Sequence, residues 1–456
     1  MEELKVLSPT GILGYGFPMA SFEKGMEKHP DVIAVDAGST DPGPYYLGAG
    51  VSFTDRNAVK RDLEILIPAA IEEDIPLIIG SAGGSGGNPH LEWNLEIIKE
   101  IAEEKGLSFK LAVIRAEIDK GYVVEMLRKG KVTPLHPAPD ITEDELEKTT
   151  RIVGQMGLEP IVKALDESAR VILAGRAYDP SVFAAMAVKR GYDKGLALHM
   201  GKILECACIA AVPGSGSDCM IGYLGKDYFI VEPLNPARKC TTLSVAAHTL
   251  YEKTNPYILP GPGGVLDLTN TKFEQYTDNA VKVSGSRFIP SESYTIKLEG
   301  VKKTGYRTVS IAGTRDPIAI SKIDDIISGV KERVDDNFKD AKFEYFLDFK
   351  VYGKSGVMGA LEPEEKVAGH ELGIIIEAVA ESQEIANTIC SFARSTMLHY
   401  GYEGRISTAG NLAFPYSPSD FKAGEVYVFN VYHIVQVEDP CELFPMEIIE
   451  MGGGKR

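Results

Sequence analysis

The chain of 456 residues is poor in tryptophan (one), cysteine (six) and histidine (eight). It has no apolar run of the roughly 18 residues that a membrane-spanning helix requires. Its amino terminus lacks the charged, apolar and small-residue order of a secretory signal. Together these absences argue against a membrane protein and a secreted disulfide scaffold, and they lead us to expect a cytoplasmic location. Cys206, Cys208, Cys219, Cys240, Cys390 and Cys441 are therefore read as reduced thiols. The C-x-C pair at 206–208 lies in the helix-like run GKILECACIAAV, where residues two apart diverge, so a core role fits better than metal or redox duty. No H-E-x-x-H or H-x₃-H spacing occurs, which leaves zinc unsupported and the metal question open to carboxylates alone. Positive charge is also short. Against 65 Asp and Glu stand 48 Lys and Arg, a net charge of −17, so nucleic acid is not an expected partner.

What the chain has is alternation. Leu4–Leu7, Asp31–Asp36, Ile75–Gly80, Phe109–Ile114 and Arg170–Gly175 are short apolar stretches bounded by Gly, Pro or Asp, as buried parallel strands are. Between them lie amphipathic patterns. One starts near Thr54 or Asp55, with a distortion expected at Pro68. Another starts at Asn88-Pro89, read as cap and first-turn proline, and stops at Gly106. This predicts an α/β fold: a doubly wound, Rossmann-like parallel sheet over residues 1–215. An α+β region follows at 216–335 and a small α+β, ferredoxin-like module at 336–456. In the last predicted strand, Val426, Val428, Asn430 and Tyr432 share one face.

In such sheets ligands bind beyond the carboxyl ends of the strands. The loops there are SPTGILGYG, DAGSTDPGPYYLG, GSAGGSGGNPH, RAEID and GRAYDP. In the third, Ser81, Gly83, Gly84, Gly86 and Gly87 could expose backbone N–H groups to an anion, aided by the dipole of the following helix. No G-K-[ST] follows, so a P-loop is excluded. The nearest dinucleotide fingerprint, at Gly14-Tyr15-Gly16, lacks its third glycine, although Asp36 stands where a ribose-binding acid would. No cofactor is therefore assigned, and NAD remains an alternative. Gly83–Gly87 also fits the G-x-S-x-G elbow, with Ser85 as nucleophile and Asp179 or Asp218 with His248 as partners. Arg176 could grip a carboxylate, or pair with Asp179 instead. Asp36, Asp41 and Glu117 could share a proton, bind a hard cation or merely cap turns. His90, in the first turn of a helix, should stay neutral and could serve as a base. Tyr45 and Tyr46 either cover a ligand or pack the loop.

Three of these segments, DAGSTDPGPYYLG, GSAGGSGGNPH and AGRAYDPSVFA, resemble the amino-terminal domain of the acyclic terpene utilisation (AtuA-like) proteins. SVAAHTLYEKTNPY, PGGVLDLT and VSGSRFIPSESYTIKLEGVKKTGYRTVSIAGTRDP extend the likeness. GNLAFPYSPSDF and FNVYHIVQVEDPCELF resemble the ferredoxin-like module that some relatives carry separately. The resemblance implies the catabolism of branched acyclic terpenoid acids, handled as acyl-CoA thioesters. It also marks Asp36, Ser39, Asp41, Ser81, Ser85, His90, Arg176 and Asp179 by position as candidate site residues.

The combined expectation is an enzyme, a lyase or hydratase, for a small carboxylate or its acyl-CoA thioester. Ser39, Asp41, the glycine loop and Arg176 would hold the anion, and His90, Asp36, Asp179 or Ser85 would do the chemistry. A homo-oligomer is expected. The alternatives are a serine hydrolase of thioesters or lactones, an NAD-dependent oxidoreductase and a non-catalytic binding subunit.

Overall fold

The five apolar runs become five strands: β1 (Leu4–Ser8), β2 (Val32–Asp36), β3 (Leu77–Gly80), β4 (Phe109–Ile114) and β5 (Val171–Ala174). All are parallel, and their order across the sheet is β1-β2-β3-β5-β4. Alternate residues enter opposite cores. Ala34, Ile78, Ile114 and Ile172 join one, and Val35, Ile79, Val113 and Leu173 the other. This two-sided burial explains why the strands read as continuous apolar runs rather than as an alternation of apolar and polar residues.

The computed structural model describes residues 3–251, 253–364, 366–406 and 409–452. Antiparallel strands widen the sheet on both sides. Met220–Leu224 pairs with β1 and is followed outward by Tyr228–Pro233, Val281–Ser284 and Lys272–Gln275, while Met446–Met451 pairs with β4. The result is a ten-stranded mixed sheet. Its parallel part does not follow the 3-2-1-4-5-6 order of the dinucleotide-binding fold, and the fold is a mixed α/β one with parallel and antiparallel strands. Within residues 216–302, Ile258–Gly261, Gly264–Asp267 and Arg287–Pro290 form a separate three-stranded sheet.

The contacts divide the chain into two units, Met1–Lys302 with Phe429–Arg456, and Lys303–Val428. In the second unit the chain runs through the rest of the strand Tyr294–Thr314, the helix Ile323–Phe338, the strands Tyr345–Tyr352 and Leu372–Ala380, the helix Gln383–His399, and the strand that begins at Asp420. Numbered along the chain, these four strands lie in the order 2-3-1-4. Ile326, Val330, Ile389 and Ala393 of the helices bury against Ile374 and Ile376 of the sheet.

The helix starts obey local chemistry. Asp55 accepts hydrogen bonds from Asn57 N and Ala58 N and so starts the helix Arg56–Glu72, which carries Pro68 inside it. Gly106, with φ +62°, ends Asn88–Lys105. Asn88 differs from expectation: Gly87 holds the cap position and no side chain caps the helix. In the strand Asp420–Val437 the buried face at its end is Val431, His433, Val435 and Val437, not the face of Asn430 and Tyr432. Among the described residues no helix is long and apolar enough to cross a membrane, and all six cysteines are free thiols.

Candidate functional site

The glycine loop after β3 is packed shut. Residues 80–87 are buried. Ser81 N and Ala82 N donate to Gly175 O (3.1 Å) and Ala174 O (3.0 Å), while Gly84 N and Gly86 N donate to Ser81 O (2.8 Å) and Ala82 O (3.1 Å). The loop needs glycine because its backbone turns through positive φ against neighbouring backbone. A Cβ on Gly86 (φ +66°) would stand 2.1 Å from Arg176 N, and one on Gly84 would strike the Phe53 ring at 2.5 Å. The start of the following helix does serve an anion, but an internal one. Asn88 N donates to Glu117 Oε2 at 2.8 Å, and the same oxygen takes Arg151 Nε at 3.0 Å. The amides of Ser81 and Gly86 are thus engaged within the chain, and Gly83, Gly84 and Gly87 sit where a side chain would not fit.

His90 and Ser85 are equally enclosed. His90 places Nε2 3.0 Å from Tyr46 O and 3.1 Å from Val51 O. Desolvation lowers its pKa to about 4, with the two carbonyls opposing and the Arg151 charge assisting. The ring is neutral at pH 7 as expected; its Nε2 ties down the segment 46–51, and its buried Nδ1 has no hydrogen-bond partner among the described residues. A depressed histidine pKa favours folding fully above pH 6.5, and that contribution is lost as pH falls towards 4. The gap corresponds to roughly 3 kcal/mol. Denaturant midpoints of the wild type and His90→Gln should therefore converge between pH 6.5 and 4. A constant difference between the two across that range would show that His90 does not titrate there.

Ser85 is 1% exposed. Of its proposed partners, Asp218 is committed to Arg238 (2.6 Å), Asn235 (2.7 Å) and Cys219 N (3.0 Å), and the His248 ring packs 5.2 Å from that of Tyr251. Tyr46 packs edge-on against Tyr45 and Phe53, which is the packing alternative for that pair.

The loops after β2 and β5 behave differently. Arg176, buried by the turn after β5, donates Nε to Glu299 Oε2 (2.8 Å) and one terminal nitrogen to Asp179 Oδ1 (2.8 Å), Ala177 O (2.5 Å) and Ser81 Oγ (3.2 Å). Nε and that terminal nitrogen are thus engaged by the chain's own carboxylates, which is the pairing alternative for Arg176. Glu299 also takes Lys297 at 2.6 Å. Burial pushes the Glu299 carboxyl up, but Arg176 and Lys297 outweigh it and bring its pKa down to about 2.

Asp36 ends β2 with 6% exposure, and its Oδ1 has no hydrogen-bond partner among the described residues. Desolvation, then the charge of Asp179, raise its pKa well above the usual carboxylate range. Arg176 opposes this and Glu205 adds to it. Asp179 is raised as well, by burial first and by Glu299 and Asp41, while Arg176 holds it back. Asp179 keeps the guanidinium, while among the described residues no cation is bonded to Asp36, so the upward shift is opposed more strongly at Asp179 than at Asp36. Asp179 remains 25% exposed at its side chain and Asp41 is exposed. Ser39 Oγ accepts from Asp41 N at 3.1 Å and shapes that turn. Burial and the nearby Glu205 raise the Cys206 thiol out of the reactive range.

Asp36 and Asp179 are therefore brought into one electrostatic cluster, with Arg176 and Ser81 behind Asp179, whereas His90 and Ser85 are built into the surrounding packing. Glu299, Lys297 and Glu205 are additions with no local signal in the sequence, because they arrive from a distant strand and a helix end. No group of three or more His, Cys, Asp or Glu among the described residues has metal-holding geometry.

A mixed α/β protein with a buried carboxylate–guanidinium cluster at the carboxyl ends of its parallel strands is what fold and site define. The chain belongs to the acyclic terpene utilisation family: the model described as acyclic terpene utilisation family protein AtuA matches residues 55–214 and 227–416. These segments contain the glycine loop, Arg176, Asp179 and Glu299. No curated protein and no solved structure matches the chain.

Proposed function

We propose that the protein is an enzyme of acyclic terpene utilisation that moves a proton at the carbon next to an uncharged carbonyl, as in an acyl-CoA thioester. The observation that carries this reading is the buried Asp36, whose Oδ1 has no hydrogen-bond partner among the described residues and whose pKa burial raises, beside Asp179, which keeps Arg176 and is 25% exposed at its side chain. Two acids pushed to different protonation states form a donor and a base. Asp36 would hydrogen-bond the carbonyl oxygen and stabilise charge as an enolate develops, while Asp179 would take the proton. Arg176 acts as a positioning residue that keeps Asp179 ionised and oriented. A free carboxylate substrate is disfavoured, because Asp41, Asp179 and Glu205 would repel it; a thioester carbonyl meets no such barrier. The same half-reaction serves hydration, dehydration and isomerisation, in keeping with a lyase or hydratase. The second unit we read as a ferredoxin-like module, on its β-α-β-β-α-β order, which begins at the strand through Lys303 rather than at residue 336.

The test is solvent exchange. A branched acyclic terpenoid acyl-CoA incubated with the protein in D₂O should take up deuterium next to the thioester carbonyl, read by mass spectrometry. Asp36→Asn and Asp179→Asn should each slow uptake by about 10²- to 10⁴-fold. Uptake should fall at high pH as Asp36 ionises and at low pH as Asp179 protonates, with apparent values that belong to the pair. Wild-type uptake no faster than the uncatalysed control, or unchanged in both variants, would overturn the reading.

A further inference from the structure

The four-stranded sheet of the second unit packs its helices on one face. Ile374, Ile376 and Ala378 of the strand Leu372–Ala380 enter the core shared with those helices. The alternate residues Gly373, Ile375, Glu377 and Val379 therefore share the other face. There the edge strand Tyr345–Tyr352 adds Phe346, 58% exposed, and Tyr352, 45% exposed, and the strand on the far side adds the exposed Ile311. Large apolar side chains gathered in the open on one sheet face mark an interaction surface.

A row of charge crosses the middle of this face. Lys350 Nζ lies 3.0 Å from Asp348 Oδ2 and 2.5 Å from Glu377 Oε2, and Arg307 Nε lies 2.5 Å from Glu377 Oε1. Lys331 reaches Asp348 only at 4.0 Å and stands over the Phe349 ring, on the helix side of the sheet. From the edge inward the row of Asp348, Lys350, Glu377 and Arg307 reads minus, plus, minus, plus. Turned end for end, it opposes each charge with one of the other sign. The four charges also cancel, in a chain of net charge −17. A second copy of this acidic chain meets net repulsion over the surface as a whole, and the neutral row is exempt from it.

The relief of the face has the same asymmetry, with its two large aromatics on the edge strand. At the height of Phe346 the next two strands carry Val379 and Arg307, which line a groove of about 680 Å³ together with Val428. At the height of Tyr352 they carry Gly373 and Gly313. A Cβ on Gly373 would meet only Tyr352 Cβ, at 3.7 Å. Each protrusion at the edge is thus matched, one or two strands inward and at its own height, by a hollow.

We propose that this face binds the same face of a second copy of the chain, about a two-fold axis parallel to the strands. That operation keeps every height and reverses the order across the sheet. It seats Phe346 of each copy in the groove beside the partner's Val379, and Tyr352 over the partner's Gly373. It also sets each charge of the row against one of opposite sign. The strands of the two sheets stay nearly aligned, as in ordinary sheet-on-sheet packing. The homo-oligomer expected from the sequence thereby acquires an interface, and the assignment stands separately from the proton-transfer reading.

Sedimentation velocity of the full chain at rising concentration, to about 100 μM, should show a dimer or a monomer–dimer equilibrium. Phe346→Glu should raise the dimer dissociation constant about tenfold or more, because it puts a charge into the apolar groove. Gly373→Leu should do the same: its own copy has room for the side chain, which fills the space that Tyr352 of the other copy needs. Both positions are exposed, so both variants should keep the wild-type far-UV circular dichroism spectrum. Gly373 also distinguishes this face from strand pairing at the free edge, because it lies one strand inward, where edge-to-edge addition does not reach. A monomer at every concentration would overturn the proposal. So would a dimer that both variants leave intact, or one weakened by Phe346→Glu and untouched by Gly373→Leu, which would put the contact at the edge.

Discussion

Gly86→Ala should abolish accumulation of folded protein or lower its stability by more than about 4 kcal/mol, whereas Gly106→Ala should cost only about 1 kcal/mol. The two glycines have nearly the same backbone, φ +66° and +62°, so the left-handed conformation penalises alanine equally at both. Their surroundings differ. At Gly106 a Cβ meets nothing within 4 Å, while at Gly86 it would stand 2.1 Å from Arg176 N and 2.6 Å from Arg176 Cα. Backbone atoms cannot swing aside as the end of a side chain can, so the loop after β3 or the turn after β5 must move. Equilibrium urea unfolding of both variants measures the contrast. Equal losses would mean that the loop relaxes freely and that its glycines serve conformation alone.

Arg176→Leu should lower stability by roughly 3–5 kcal/mol at pH 7, the cost of leaving buried charge without its partner. Glu299, with 2% of its side chain exposed, would keep only Lys297, and Asp179 and Asp36 would lose the cation that offsets them. The sign of the pH response follows from the carboxyls. Without the guanidinium their folded pKa values rise, so the variant regains stability as pH falls and they protonate. Adding Glu299→Gln to Arg176→Leu should recover part of the loss at pH 7. Chemical denaturation at pH 7 and pH 5 checks both statements. A loss below about 1 kcal/mol, or one that does not shrink on acidification, would show that Arg176 is not the counter-ion of this cluster.

The candidate site was legible in part, and the physical reason differs from residue to residue. Asp36 ends a strand and Asp179 opens the helix that follows one, and the alternation of apolar runs and helices is enough to place them at the same edge of a parallel sheet. The unequal upward shift of the two acids was not legible. It depends on desolvation and on Arg176 bonding one carboxylate and not the other, quantities that have no sequence pattern. The glycine loop pointed to close backbone approach, and such approach occurs, but the backbone it admits is that of Arg176 and the anion at its helix is Glu117. Ser85 and His90 were singled out by motif and by position in a first turn, and neither criterion carries information on enclosure. Glu299 had no local signal, being 123 residues beyond Arg176 on a strand that meets it only in the folded chain.

The ordering of strands and helices, the caps at Asp55 and Gly106 and the family itself were determined by the sequence alone, because hydrophobic period, capping chemistry and motif are local properties of the chain. The tertiary structure decided the strand order, the division at 302/303 and 428/429, and which charged groups meet. Those outcomes depend on long-range pairing and on the removal of water from particular carboxylates. Neither is written in any short stretch of residues.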